Sequence, residues 1–357
     1  MARGSEGEQE ARRLAGWLAG KLPGARDLSV TPVERSGATG FSSDTLLFDL
    51  AWRESGGERR EPIVVRRAPL GHRIFPEYDI PRQHRILRIL ADTDVPVPRT
   101  RWLEEDPAIL GSPFYVMERV EGRIPTDSPP YHVGGWVTEI APAERGALWW
   151  SGLETLARIH RLDWRGLGLS FLGPSVPGRS PLERQLEEYE RFLAWAAPGM
   201  RHPTCEPALA WLRDRRPREP EPVGLCWGDA RPGNMIFQDG RCVAVLDWEM
   251  ATLGNPVQDL AWWLFLDRHH SEGLGAARLP GFPSRADTVA RWEEWTGLPA
   301  RHVDYYEVFA AFRFAVIMVR VAQGFRAAGV LPPDSRLETH NIPTQLLARM
   351  LDLPAPS

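Results

Sequence analysis

Apolar residues recur along this chain with two periods, and the switch between them divides it. Leu14, Trp17 and Leu18 fall at i, i+3 and i+4, which predicts a helix over residues 7–21. From there to about residue 118 the pattern is mostly that of strands. Residues 27–34 predict one strand, 45–52 a second, and 62–67 a third whose Ile-Val-Val run suits a buried position. Ser-Gly-Gly-Glu at 55–58 supplies a hairpin turn between the last two, and 36–43 is a Gly/Ser loop. Pro76 and Pro81 bracket the start of a helix carrying Ile86, Leu87 and Leu90 on one face. Strands near 99–104 and 113–120 complete a five-stranded sheet with one inserted helix.

Helical periodicity takes over from about residue 141. Leu148, Trp149, Leu153, Leu156, Ile159 and His160 define one long amphipathic helix, and residues 181–195 another. Residues 223–247 interrupt the pattern. A short strand leads into the polar loop Gly-Asp-Ala-Arg-Pro-Gly-Asn, followed by two apolar runs flanking Gln-Asp-Gly-Arg, a hairpin signal. Helices are expected again at 256–267, 284–296, 300–328 and 337–352. The pattern predicts an α+β chain, with a small sheet lobe over 1–118, a linker at 119–122 and a larger helical lobe over 123–357.

Composition narrows the function. The 357 residues suit two domains or lobes, at about 150 residues each. A net charge of −4 argues against a general nucleic-acid or anionic-membrane binder. The longest apolar runs are about six residues, short of the roughly 20 that span a bilayer. Three cysteines without CxxC spacing point to a reducing compartment, and the N-terminus lacks the apolar core of a signal peptide, so a cytoplasmic protein is expected. Lys21 is the only lysine, so chemistry that needs a second one must use arginine.

The segment 226–249 carries the chemistry. Asp229 and Asn234 lie five residues apart on a loop after a strand, and Asp247 ends the next hairpin. A hairpin returns its end to its start, so the three groups converge. Carboxylate and amide oxygens are the ligands that Mg²⁺ prefers, and a third carboxylate can orient and deprotonate a hydroxyl. The same residue types also build turns, but the third member at the end of an apolar strand favours a site over a turn.

This stretch resembles the aminoglycoside phosphotransferase family of kinase-like small-molecule phosphotransferases. The matching residues are Gly228-Asp229 with Asn234 and Phe237, then Leu246-Asp247-Trp248-Glu249, then 251–261. The resemblance is strongest to the branch that includes kinase-like domains fused to some acyl-CoA dehydrogenases, and it runs from about 30 to 265. It implies a protein-kinase-like two-lobe fold, with an antiparallel sheet in the small lobe. It implies Asp229 as the catalytic aspartate that receives the acceptor proton, and Asn234 and Asp247 as Mg²⁺ ligands. Asp259 then braces the catalytic loop, and His160 is structural. The expected donor is ATP or GTP. Gly40 and Ser42 in the Gly/Ser loop would lie over its phosphates, where backbone N–H groups can bind anions. Met117 would be the gatekeeper, with the Glu118 carbonyl and the Val120 N–H at the base edge.

Three departures accompany the resemblance. Arg66 stands where such kinases carry lysine, and a guanidinium can hold phosphates with two prongs. Its neighbour Arg67 faces the other way on a strand. The acidic partner expected on the following helix falls on Gln83, with Asp79 or Glu77 as alternatives. Trp227 replaces a histidine before Gly-Asp. The acceptor stays open between a hydroxyacyl thioester, an antibiotic and another hydroxylated metabolite. Residues 255–357 hold 11 acids against 10 arginines, a near-neutral balance that weakens the case for a polycationic acceptor. A catalytically inactive nucleotide-binding or interaction module of the same fold is the alternative. A Rossmann dehydrogenase fits less well, because no G-x-G-x-x-G follows an early strand.

Overall fold

The computed structural model describes residues 2–33, 43–173 and 179–356. Two compact units emerge, one of residues 1–73, 77–93 and 97–121, the other of 74–76, 94–96 and 122–357.

The first unit is an antiparallel sheet with a helix on each face. Its strands are β1 (Arg26–Pro32), β2 (Asp44–Glu54), β3 (Gly57–Arg67), β4 (Thr100–Glu104) and β5 (Phe114–Glu118), in the order β1-β2-β3-β5-β4. The hairpin between β2 and β3 turns at Ser55-Gly56, as the Gly-rich tetrapeptide predicted, but β3 begins five residues earlier than expected. The polar residues 57–61 hide its start. Strand alternation then sorts the side chains. Ile63 and Val65 join Phe48, Leu50, Phe114 and Val116 in a buried cluster closed by Leu14 and Leu18 of α1 (Ala2–Lys21). Fully burying each such aliphatic or aromatic side chain is worth roughly 1.5–3 kcal/mol. The opposite face meets α2 (Ile80–Leu90), whose His84 ring lies 6.1 Å from Tyr115 of β5. Asp79 caps α2, its carboxylate accepting the Arg82 N–H at 2.8 Å.

The second unit is built round α9 (Val303–Ala327), which packs against α5 (Pro181–Ala196), α6 (Cys205–Asp214), α7 (Val257–His270) and α10 (Ile342–Met350). By length and mean hydropathy α9 could cross a membrane, which the short apolar runs did not suggest. Two-thirds of its apolar window is buried in the unit, and Arg313 and Glu307 are buried along it. Against α4 (Pro142–Arg161) lie α8 (Arg285–Thr296) and the strands of the polar segment, while α3 (Trp136–Glu139) is a single turn. β6 (Gly224–Cys226) pairs with β9 (Thr252–Gly254), and β7 (Met235–Gln238) with β8 (Arg241–Val245). Asp239 and Gly240 both have positive φ, 47° and 74°, as the two-residue hairpin requires. Helix α6 and strand β9 had no expectation behind them. Strand β9 is three residues long, and its Gly254 runs into Asn-Pro, which reads as a turn.

Candidate active site

The polar loop of the second unit hangs between two strands and is pinned from below. Asp259, in the first turn of α7, is wholly buried. Its two carboxylate oxygens accept the backbone N–H groups of Trp227 at 2.6 Å and Gly228 at 3.0 Å. His160 supports it in turn. The Trp292 indole donates to His160 Nδ1 at 2.9 Å, so Nε2 carries the proton that faces Asp259 at 3.3 Å. The bracing role expected for Asp259 and the structural role expected for His160 are both visible in these bonds. Gly228 has a φ of 95°, and a methyl there would lie 2.2 Å from the Met250 carbonyl oxygen. Only glycine fits this crossing.

On this base stands Asp229. Its Oδ1 accepts the Trp262 indole N–H at 2.8 Å, and Oδ2 accepts the Asn234 amide at 2.6 Å. Arg231 Nε lies 3.1 Å from both oxygens. With its Nδ2 turned to Asp229, Asn234 keeps its side-chain carbonyl oxygen for a cation. Asn234 O also accepts the Leu246 N–H at 2.9 Å, which draws the end of the hairpin back to the loop. Trp227 completes the closure, its indole donating to the carbonyls of Leu246 at 2.8 Å and Asp247 at 3.2 Å. The tryptophan in place of histidine therefore works as a tie rather than as filler. Asp247 follows with a φ of 59°, a left-handed conformation that aspartate tolerates. Amide and carboxylate oxygens are the ligands a hard divalent cation takes, so Asn234 and Asp247 fit Mg²⁺ as a two-ligand set that phosphate oxygens complete.

Arg231 also pairs with Asp127. Burial would lower its pKa, but the Asp127 and Asp229 carboxylates more than offset that and hold the guanidinium above its ordinary value. Arg313 donates to the Gly228 carbonyl at 3.0 Å and lies 4.6 Å over the Trp262 ring.

In the first unit, Arg66 and Arg67 separate cleanly. Arg67, on the α1 side of the sheet, meets Glu10 at 2.6 Å, Asp44 at 3.0 Å and the Leu110 carbonyl at 2.9 Å. Arg66 lies on the α2 side and donates to Thr45 Oγ1 at 2.7 Å. Gln83 is buried, its Oε1 unpaired among the described residues, while Glu77 is exposed and Asp79 is engaged as a cap. Met117 is buried on β5 opposite Val64. Glu118 exchanges bonds with Arg99 through its N–H and its side chain, both at 3.0 Å, and Val120 is half-buried just beyond the strand. Gly40 and Ser42 lie outside the described residues.

Sequence reasoning did not link Trp262, Arg231, Arg313 or Asp127 to the Asp229 loop. Trp262 had a signal, since it sits three residues after Asp259 and so on the same helix face. Asp127 and Arg313 had none, being 104 and 85 residues from their partners in the loop they join.

Comparison with known proteins identifies the family and the fold. Residues 39–302 match the model of the phosphotransferase enzyme family of aminoglycoside phosphotransferase type. Acyl-CoA dehydrogenase family member 11 of Pongo abelii is 32% identical over 283 residues, covering 77% of this chain but only 35% of that protein. The chain thus spans about a third of the length of that relative. A candidate aminoglycoside phosphotransferase from Ralstonia eutropha superposes with a TM-score of 0.69 at 26% identity, covering 95% of both chains. A thermostable mutant of an aminoglycoside phosphotransferase in ternary complex with ADP and hygromycin B shares the fold, with a TM-score of 0.52, 14% identity and coverage of 94% and 98%. The chain has the kinase-like α+β fold and belongs to the phosphotransferase enzyme family.

Proposed function

We propose that this chain transfers the γ-phosphoryl group of ATP or GTP to a hydroxyl group of a small molecule. One observation carries the reading. The Asp229 carboxylate is fixed by Trp262, Arg231 and Asn234 on a loop whose backbone Asp259 pins, with Asn234 and Asp247 converging beside it. Asp229 orients the acceptor hydroxyl and receives its proton as the oxygen bonds to phosphorus and the nucleoside diphosphate leaves. Bound Mg²⁺, held by Asn234 and Asp247, would neutralise charge on the phosphates. Arg66 takes the role of the phosphate-anchoring cation. The backbone of Glu118 and Val120, beside Met117, meets the base, and Gly40 and Ser42 contact the phosphates.

The acceptor is a small hydroxylated molecule, and a hydroxyacyl thioester is the first to test. The matching segment occurs within a protein named for acyl-CoA dehydrogenases, which supports that choice.

The experiment pairs Mg²⁺-dependent binding of ATP and GTP with transfer of γ-labelled phosphate to a panel of hydroxyacyl thioesters, antibiotics and other alcohols. Transfer should fall about 10²- to 10⁴-fold in Asp229→Asn while nucleotide binding persists. Absence of metal-dependent binding of either nucleotide would overturn the proposal. The Arg66 and Gln83 departures favour a second reading, a nucleotide-binding module without catalysis. Binding without transfer to any acceptor would support it.

A further inference from the structure

A cavity of about 560 Å³ in the helical unit lies apart from the site described above. That volume is in the range that holds small molecules. The cavity opens between the start of α5, the segment 213–223 and the first turns of α7 and α9. None of Asp229, Asn234 and Asp247 lines it. The elements that hold the Asp229 loop run away from it. Strand β6 leaves the cavity after Val223 and leads to Gly228, and on α7 Gln258 precedes Asp259. On α9, Tyr306 stands seven residues before Arg313, roughly 10 Å along the helix.

The charges of the cavity are settled unevenly. Arg213 takes both oxygens of Glu190, at 2.9 and 2.6 Å, Arg216 pairs with Glu183, and Glu219 meets His302 at 3.2 Å. Glu221 has no cation among the described residues. Its half-buried carboxylate is held by two neutral donors instead, the Asn255 amide on Oε1 at 2.8 Å and the Tyr306 hydroxyl on Oε2 at 2.7 Å. Those bonds fix its direction but leave its charge uncompensated, and each oxygen keeps a lone pair. A second, independent mismatch lies beside it. Gln185 and Gln258 also line the cavity, and they are 4% and 2% exposed. A methyl on Gly254 would stand 3.0 Å from Nε2 of the first and 2.4 Å from Nε2 of the second, so the two amide groups converge over that glycine. Gln258 Nε2 is buried without a hydrogen-bond partner among the described residues. Two donors that face one spot call for an acceptor oxygen between them. Asn255 joins the two features, because its backbone carbonyl accepts the Gln258 N–H at 3.0 Å.

We infer that this cavity is a second binding site, for a small zwitterion, an amine that also carries a carboxylate. The ammonium group meets Glu221, and a carboxylate oxygen lies between Gln185 and Gln258. Arg218, exposed on the rim and without an ion pair among the described residues, adds attraction for the carboxylate end. The lining holds four acids against three arginines, so an anion alone is disfavoured. An amine alone would leave the two amides unanswered. The inference does not depend on the phosphotransferase reading.

The test uses the full chain and three probes of one chain length: 5-aminopentanoate, pentylamine and pentanoate. Saturation-transfer NMR detects binding and titration calorimetry measures it, with circular dichroism as the check that each protein is folded. 5-Aminopentanoate should bind at least about tenfold tighter than either single-ended probe, since each end makes a charge-assisted contact. Glu221→Gln should remove its advantage over pentanoate. Gln258→Leu should weaken 5-aminopentanoate and spare pentylamine. Asp229→Asn should bind 5-aminopentanoate as the wild type does, because the cavity is apart from that carboxylate. The ranking of the three probes on the wild type decides the matter even where a variant fails to fold. Equal binding of the three, or no binding of 5-aminopentanoate, overturns the inference. So does loss of binding in Asp229→Asn, or an unchanged advantage in a folded Glu221→Gln protein. A crystal structure grown with 5-aminopentanoate, in which the two glutamines bond each other and the probe lies elsewhere, overturns it as well.

Discussion

Two adjacent arginines on β3 show how much a single position means. Arg66 and Arg67 are both nearly buried, and alternation sends them to opposite faces. Arg67 is committed to Glu10, Asp44 and the Leu110 carbonyl, while Arg66 holds a threonine hydroxyl. Replacing Arg66 with alanine should cost about ten- to a hundredfold in kcat/KM, the value of one charge-assisted phosphate contact of about 1.5–3 kcal/mol. Lysine there should restore only part, since a point charge lacks the two-pronged contact. Arg67→Ala should instead act on folding. It strands the Glu10 carboxylate, which is 12% exposed, and such losses typically cost about 3–5 kcal/mol. Denaturant unfolding alongside steady-state kinetics separates the two. A stable Arg67→Ala protein with weakened nucleotide binding would mean the register assigned to β3 is wrong.

At the scale of elements, the loop that carries Asp229 is held by a helix, not by its own strands. Strand β6 is three residues long, and β9 equally short, so their ladder offers little. The N-terminal turn of α7 does the holding through Asp259, and Trp262 one turn later reaches Asp229. Asp259→Ala would leave two buried N–H groups and the His160 Nε2–H without an acceptor. Stability should fall by at least about 3 kcal/mol, at about 1–3 kcal/mol per orphaned group. Activity should fall with it, even under conditions where the variant stays folded. Gly228→Ala should be more severe than any other alanine in the loop, because its methyl meets the Met250 carbonyl and its φ is positive. Thermal unfolding of both variants checks this, and a wild-type Tm for either would disprove the bracing.

On the whole-molecule scale the buried histidines set the acid limit. Burial lowers His202, and it lowers His269 and His270 to about 3 from 6.5. Their native state is neutral, whereas the unfolded chain binds protons below about 6.5. The unfolded state thus gains protons first, and stability falls as pH drops through the unfolded value and onward towards 3. Each such histidine contributes at most about 1.4 kcal/mol per pH unit. Asp267 adds to the loss only at lower pH. Burial would raise it, but the His132 hydrogen bond and the Arg278 charge hold it below 3.8. Tm should therefore decline between about pH 6.5 and about pH 4.5, before most carboxylates titrate, and the decline should flatten in His270→Gln. A level Tm across that window would contradict neutral burial of the pair.

The sequence by itself determined the local chemistry. Periodicity marks the five strands and the inserted helix, because a half-buried strand must alternate and a buried helix face must repeat. Asp229, Asn234 and Asp247 can be read together because a two-residue hairpin forces its ends to meet. Asp259 and Trp262 are within reach of the same reasoning, since i and i+3 share a helix face. Tertiary structure alone decided the rest. Polar edge residues conceal the start of β3, and nothing in a Pro-rich stretch announces that Asp127 meets Arg231 across 104 residues. Whether an arginine anchors phosphate or props a helix also depends on what packs on its face. Such contacts are made by folding distant segments together, and periodicity carries no record of which segments those will be.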